Sequence, residues 1–150
     1  MSTLIGARPR AADPDWAGVL AQVPLFSDLP KRHLRGIAKL AKFRRLPAYT
    51  RIVREGDRAD SFYLMLEGTA VVRPPGKRPV KIGVGEFFGE LALLDNSPRS
   101  ATVEAQTEVQ VASIGRSDFL RMLEHEPKVA LILLRTVAAR LRLSEVSTKH

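Results

Sequence analysis

The sequence of 150 residues has no cysteine and only three histidines. Without cysteine there is neither a disulfide framework nor thiolate chemistry, and a cytoplasmic location is the default expectation. His33, His125 and His150 all lie outside the β-rich middle of the chain, which argues against a metal site of histidine and carboxylate ligands. No pairing of serine with histidine is evident either. We therefore predict that the chain is not an enzyme and holds no metal.

Long apolar runs and blocks of like charge are also missing. No segment approaches the roughly 20 apolar residues that cross a bilayer, so we predict no transmembrane segment. No apolar stretch of signal-peptide length follows Arg8 and Arg10. The formal net charge is +8, yet the basic residues are scattered instead of grouped in runs of five or six. The charge fits a solvated basic surface, and it leaves an acidic partner, a membrane surface or nucleic acid open.

The length and an apolar content of 45% suit one globular domain. Residues 1–15 have no sustained apolar period, and we predict a flexible tail there. A first helix is expected near Trp16, ending around Pro24. A second begins at Pro30 and reaches about Phe43, because apolar residues recur at helical spacing.

From about residue 42 to residue 114 the segments are short, rich in β-branched residues and bounded by glycine or proline. Such a series of short strands with regular turn signals predicts a sandwich or a jelly-roll barrel. The predicted strands are Arg51–Arg54, Phe62–Leu66, Ala70–Arg73, Val80–Val84, Thr102–Ala105 and Val109–Ile114.

Two helices are expected after the strands, one capped by Ser117 and one running from Pro127 to about Ser144. The apolar stripe of the last helix leaves core packing and homodimerisation open.

The segment from Gly89 to Ala101 combines residue types that suit an anionic ligand. Gly89 permits close approach to the backbone, and the first amides of a short helix after it would point outward unpaired. Glu90 adds a carboxylate acceptor in that first turn. Arg99, nine residues later, adds a planar donor fork suited to phosphate. Together these groups suit a ligand that carries a sugar hydroxyl and a phosphate.

The segment Phe87–Ala105 resembles the phosphate-binding cassette of the cyclic nucleotide-binding domain family. That family includes regulatory subunits of cyclic AMP-dependent kinase, the catabolite activator protein and cyclic nucleotide-gated channels. Further similar segments are Arg54–Asp57 and Ser61–Gly68, which match early barrel strands, and Ser117–Leu120, which matches the first C-terminal helix. The similarity runs from about Trp16 to about Leu143.

This resemblance implies a mainly β fold: a jelly-roll β-barrel, or double-stranded β-helix, with N-terminal helices and two C-terminal lid helices. The domain would span residues 16–143, followed by a C-terminal tail at residues 144–150. The resemblance also implies that Glu90 accepts a hydrogen bond from the ribose 2'-hydroxyl and that Arg99 pairs with the cyclic phosphate. The other implied ligand-binding residues are Gly89, Leu91, Ala92, Ser100, Ala101, Val72 and Arg140.

Two of these assignments keep an alternative. Val72 would form an apolar wall against the base, but strand packing explains it equally well. Arg140 lies at a spacing from Arg99 like that of the lid arginine in bacterial channels, but it could also be a solvated helix residue. Ser100 stands where the family often has threonine when guanine is favoured. We therefore expect cyclic AMP as the preferred ligand, with cyclic GMP as the alternative, and no cofactor.

The output of ligand binding is not visible in the sequence. We expect an effector protein or a fused effector domain as partner, with the last helix moving when ligand binds. The chain ends about seven residues past residue 143, so we predict no direct DNA-binding domain. The alternatives are the ligand-binding part of a transcription regulator or of a channel.

Overall fold

The structure is a computed structural model that describes residues 14–148. The predicted tail at residues 1–15 lies outside the described residues except for its last two positions. The division into a tail, a domain at residues 16–143 and a second tail stays a prediction. The helices are α1 (Trp16–Leu20), α2 (Lys31–Leu40), α3 (Glu90–Leu94), α4 (Arg116–His125) and α5 (Pro127–Thr148). The strands are β1 (Ala41–Leu46), β2 (Arg51–Val53), β3 (Ser61–Glu67), β4 (Ala70–Arg73), β5 (Val80–Ile82), β6 (Phe87–Phe88), β7 (Thr102–Ala105) and β8 (Val109–Gly115).

The strands of the described chain form two antiparallel sheets of four. One sheet has the order β1-β8-β3-β6 and the other the order β2-β7-β4-β5. Neighbours in each sheet are mostly distant in the chain, which is the connectivity of a jelly roll. The predicted mainly β fold with flanking helices is therefore confirmed. Hydrogen bonding among the described strands joins them in two sheets instead of one closed barrel.

Sheet β1-β8-β3-β6 is buried on both of its faces because its residues alternate between two cores. Phe62 and Leu64 of β3 pack with the helices in the larger core, whereas Met65 packs in the smaller core between the sheets. Phe62 stacks on Phe119 of α4 with ring centroids 4.7 Å apart and lies 5.6 Å from Phe87 of β6. The rings therefore fix α4 against the strand that leads into the candidate site.

The predicted end of the second helix is wrong. The helix ends at Leu40, and Ala41–Leu46 is strand β1, which pairs with β8 from Ala41 opposite Ile114 to Leu46 opposite Val109. Ala41 continues the helical spacing of the preceding residues, so local periodicity could not locate the change. Pairing with β8, whose residues lie 63 to 73 positions further along the chain, decides it.

Other boundaries also differ from the predicted ones, and helix α1 ends at Leu20 instead of around Pro24. Helix α4 begins at Arg116 with Gly115 at its N-cap, so Ser117 is not the cap. Strand β5 ends at Ile82, because a turn closes where the Gly83 amide donates to the Glu86 carboxylate, 2.9 Å away. The last helix runs to Thr148, beyond the predicted end.

Candidate functional site

A glycine turn connects β6 to the short helix α3. Phe88 of β6 pairs with Tyr63 of β3, and Gly89 follows with φ +90° and ψ 0° as the N-cap of α3. Only glycine adopts this left-handed conformation without strain. A Cβ atom on Gly89 would also lie 2.6 Å from Nη1 of Arg99 and 3.3 Å from the Ser61 carbonyl oxygen. The turn therefore lets the backbone and the Arg99 guanidinium meet at close range.

Arg99 is the buried cation of the site. The residue is only 5% exposed, and its Nη1 donates to the Gly89 carbonyl at 3.0 Å while its Nη2 donates to the Ser61 carbonyl at 2.6 Å. Desolvation lowers the pKa of Arg99, although Tyr63, Asp60 and Glu90 oppose that shift. A guanidinium has five N–H donors, so these two bonds leave donors for an anionic ligand. Backbone bonds of Arg99 to Asp57 and Gly56, each 2.9 Å, hold the segment in place.

Glu90 is the buried carboxylate of the site. It is 4% exposed, and its Oε2 lies 3.5 Å from Nη1 of Arg140, but its Oε1 is buried with no hydrogen-bond partner among the described residues. Burial raises the pKa of Glu90, against the lowering effects of its own backbone amide, Arg140 and Arg99. An unpaired buried acceptor costs about 1–3 kcal/mol, so this oxygen favours a ligand that donates a hydrogen bond.

Arg140 connects α5 to Glu90 and to the Phe87 carbonyl. Its Nη2 donates to the Phe87 carbonyl at 2.8 Å, and its guanidinium carbon lies 4.6 Å from the centre of the Phe87 ring. It is therefore not a freely solvated helix residue. Here it contacts Glu90 and Phe87, and its expected contact with a purine stays a prediction. A cleft of about 340 Å³ opens beside Arg140 between α5 and the Gly85–Phe87 segment.

The remaining predicted site residues are distributed around this centre. Val72 is partly buried against the core between the sheets. Leu91 is 44% exposed, while Ala92 is buried in the helix-side core. Ser100 is exposed and Ala101 partly buried, directly before β7. Gly89, Glu90, Arg99 and Arg140 are thus brought into one cluster. The ligand-binding roles of all the predicted residues stay predictions.

A family model for the cyclic nucleotide-binding domain matches residues 43–126. The chain belongs to the cyclic nucleotide-binding domain family. The match covers strands β2 to β8, most of β1 and the segment that contains Gly89, Glu90 and Arg99.

Curated relatives of this cyclic nucleotide-binding domain include channels and kinase regulatory subunits. A cyclic nucleotide-gated potassium channel of Rhizobium etli is 38% identical over 122 residues, which is 81% of this chain and 34% of the channel. A cAMP-dependent protein kinase regulatory subunit of Emericella nidulans is 45% identical over 106 residues, which is 69% of this chain and 26% of the relative. The chain thus spans about a third or less of these relatives.

Solved structures agree with the fold. The domain is similar to cAMP-bound PfPKA-R with a TM-score of 0.78 and 32% identity, covering 88% of this chain and 46% of that one. It is similar to the catabolite activator protein of Thermus thermophilus with a TM-score of 0.73 and 29% identity, covering 84% of this chain and 62% of that one. These similarities confirm the predicted jelly-roll fold and the family.

Several residues of the site were not predicted from the sequence. The Ser61 carbonyl binds Arg99, Asp60 lies 4.0 Å from the same guanidinium, and Arg99 lies 5.9 Å from the centre of the Tyr63 ring. A carbonyl acceptor carries no sequence signal, because every residue type has one. Phe87 is the first residue of the segment that resembles the phosphate-binding cassette, but its contact with Arg140 of α5 depends on the tertiary structure.

Within residues 14–148, none of the helices is long and apolar enough to cross a membrane. The described residues also contain no group of three or more histidine, aspartate or glutamate side chains that could hold a metal ion.

Proposed function

We propose that this domain binds cyclic AMP between Glu90 and Arg99 and acts as a regulatory sensor. The observation that carries the proposal is the Glu90 Oε1 atom, a buried acceptor that lies beside a buried arginine and has no hydrogen-bond partner among the described residues. A ribose 2'-hydroxyl is a donor that would satisfy this oxygen. A ligand with that hydroxyl and a phosphate would bind both the Glu90 carboxylate and the Arg99 guanidinium.

The cyclic phosphate is assigned to Arg99. Its guanidinium already occupies a buried position next to the Gly89 turn, so little side-chain freedom remains to be lost on binding. A hydrogen bond between charged groups is worth about 1.5–3 kcal/mol. Ser100 and the Ala101 amide follow Arg99 directly, and in this proposal they also bind the phosphate. Leu91 and Ala92 of α3 would contact the ligand from the segment that follows Glu90.

Cyclic AMP is preferred to cyclic GMP in this proposal for two reasons. Ser100 occupies the position where the family often has threonine for guanine. Several similar solved structures contain cyclic AMP or an analogue, among them cAMP-bound PfPKA-R and PKAR CBD2 with Sp-2Cl-cAMPS. Val72 would contribute an apolar wall for the base.

Helix α5 would change its position when the ligand binds. Arg140 on α5 holds Glu90 and the Phe87 carbonyl, so a ribose hydroxyl that binds Glu90 changes what holds the helix. Ligand binding would shift the equilibrium between two positions of α5, with Arg140 placed over the purine in the bound state. In this proposal the role is regulatory and not catalytic, and the protein acts in the cytoplasm. Its partner is an effector protein or a fused effector domain. A homodimer is a further prediction. The alternatives are the ligand-binding part of a channel or transcription regulator and a cyclic GMP sensor.

Thermal unfolding with each cyclic nucleotide tests the proposal. At a ligand concentration about a hundredfold above Kd, binding stabilises the folded state by about 2.7 kcal/mol. For a domain of this size that raises Tm by roughly 5–10 °C. Arg99→Ala should abolish most of the shift, and Arg32→Ala, which removes an exposed arginine of α2, should keep it. No shift of the unmodified chain with either nucleotide would refute the proposal.

A further inference from the structure

The outer face of sheet β2-β7-β4-β5 gathers basic residues that are scattered along the sequence. Strand register places Arg51 of β2 opposite Glu104 of β7. Glu104 lies opposite Val71 of β4, which in turn lies opposite Lys81 of β5. One row across all four strands therefore has a cation at each end. Arg73, two residues after Val71 on β4, lies on the same face in the next row, because side chains of a strand alternate between its two faces.

This face points away from the core between the two sheets. Val72, Val103 and Ile82, which alternate with the residues of the outer face, pack into that core. Arg73 and Lys81 therefore point to the opposite side of the sheet, and both residues are exposed. None of the outward-pointing residues belongs to the candidate cyclic nucleotide site.

The turn between β4 and β5 adds two further cations, the exposed Lys77 and Arg78. Among the described residues of the four strands and this turn, Glu104 is the single acid, and its carboxylate lies 3.6 Å from Nη2 of Arg73. Five cations thus surround one carboxylate, so a strong positive charge remains. We call this surface the basic face, and its five cations are Arg51, Arg73, Lys77, Arg78 and Lys81.

Two exposed valines flank the basic face at the edge of the sheet. Val80, beside Lys81, is 55% exposed, and Val84, just beyond the end of β5, is 63% exposed. Binding to an anionic lipid surface combines attraction between charges with burial of apolar side chains at the headgroup boundary. A surface of cations with exposed valines beside them offers both contributions.

The basic face suits a lipid surface better than a nucleic acid. Single-stranded nucleic acid is usually held by stacking its bases on aromatic side chains, and the four described strands contain no aromatic residue. Duplex DNA is usually read by a helix or a two-stranded ribbon that enters the major groove. Here the cations are spread over the broad side of a sheet, whose four strands extend across roughly 14 Å.

We propose that the basic face, together with Val80, docks on an anionic lipid membrane. The cytoplasmic leaflet has a negative surface potential, and each basic residue held near it should raise the membrane affinity about fivefold. The proposal does not depend on cyclic nucleotide binding, because the five cations lie outside the candidate site. It adds a second binding partner on a separate surface of the domain.

Co-sedimentation of the full chain with lipid vesicles tests the proposal. One set of vesicles contains phosphatidylcholine alone, and the other a roughly two-to-one mixture of phosphatidylcholine and phosphatidylserine. We expect the unmodified chain to bind the mixed vesicles at least about tenfold more tightly. Raised salt should weaken this binding, because salt screens exposed charges. Equal binding to both sets of vesicles would overturn the proposal.

Two variants with the same loss of charge test the surface itself. The triple variant Lys77→Gln, Arg78→Gln, Lys81→Gln should bind the mixed vesicles roughly 20-fold more weakly or worse. The matched control removes three exposed cations of α2 and should lose less than about fivefold. Its substitutions are Arg32→Gln, Arg35→Gln and Lys39→Gln. An equal loss of vesicle binding in the two variants would show that only net charge matters and would overturn the proposal.

Val80→Thr separates a membrane from other polyanions, because it removes an exposed apolar group and no charge. It should weaken binding to the mixed vesicles about three- to fivefold, the effect of one buried methyl group, and leave binding to duplex DNA unchanged. Unchanged vesicle binding of this variant would contradict the proposal. Tighter binding of the unmodified chain to duplex DNA or to polyglutamate than to the mixed vesicles would also overturn it, since the partner would then be a different polyanion.

Discussion

Replacing Gly89 by alanine tests how closely the backbone and Arg99 meet. The new Cβ atom would lie 2.6 Å from Nη1 of Arg99, in a residue whose φ is +90°. Two costs follow, one from the left-handed backbone and one from displacement of the guanidinium. Gly76→Ala is the matched control, because Gly76 has φ +69° and no atom within 4 Å of its virtual Cβ.

The magnitudes separate the two costs. A left-handed conformation costs a non-glycine residue about 1–2 kcal/mol, so both variants should lose about that much stability and about 2–8 °C in Tm. Only Gly89→Ala displaces Arg99 from the Gly89 and Ser61 carbonyls. Loss of one charged contact with phosphate, about 1.5–3 kcal/mol, weakens binding roughly 10- to 150-fold.

Calorimetric titration with cyclic AMP, paired with thermal unfolding of both variants, gives the answer. We expect Gly76→Ala to bind cyclic AMP with the affinity of the unmodified chain and Gly89→Ala to bind it at least tenfold more weakly. Equal affinity of the two variants would refute the reasoning, because the phosphate would then not depend on where the Arg99 guanidinium lies.

Other substitutions test single roles. Glu90→Gln should gain stability relative to the unmodified chain as pH rises above about 4, the ordinary pKa of a glutamate. The folded pKa of Glu90 is raised, so the stabilisation that its protonated form gives below the unfolded pKa is lost as pH rises through the folded value. Urea unfolding at several pH values measures the free energy of unfolding of both proteins. A variant that loses stability relative to the unmodified chain as pH rises would contradict the prediction. Arg140→Ala should weaken cyclic AMP binding about 2- to 30-fold, the equivalent of a cation–π contact of about 0.5–2 kcal/mol, in a fluorescence competition assay. Unchanged affinity would limit Arg140 to its contacts with Glu90 and Phe87. Ser100→Thr should raise the affinity for cyclic GMP relative to cyclic AMP in parallel titrations, and an unchanged ratio would remove Ser100 as a determinant of base preference.

The parts of the fold that depend on local signals were predictable. The Gly89 turn, the short helix after it and Arg99 all lie between residues 89 and 99. One short segment of the sequence therefore carries the signals for all three. Strand β1 was missed because Ala41 and Phe43 satisfy a helical and a strand pattern equally, and only pairing with β8 chooses between them. The predicted cap at Ser117 failed for a similar reason, because the distant Asp60 carbonyl engages the Arg116 amide.

The residues of the site divide in the same way. Glu90 and Arg99 were named from the family resemblance, and the structure shows that both are buried. Their ligand-binding roles stay predictions. That Arg140 would bond to Glu90 and the Phe87 carbonyl could not be predicted, because it depends on how α5 packs. The carbonyl partners of Arg99 were equally invisible, since backbone acceptors are common to all residues.

A crystal structure of the complex with cyclic AMP tests the central claim most directly. The account predicts the ribose 2'-hydroxyl within hydrogen-bond distance of Glu90 Oε1 and the cyclic phosphate against the Arg99 guanidinium. A complex in which the nucleotide lies elsewhere, with Glu90 Oε1 still unpaired and Arg99 still bound to the Gly89 and Ser61 carbonyls, would contradict it.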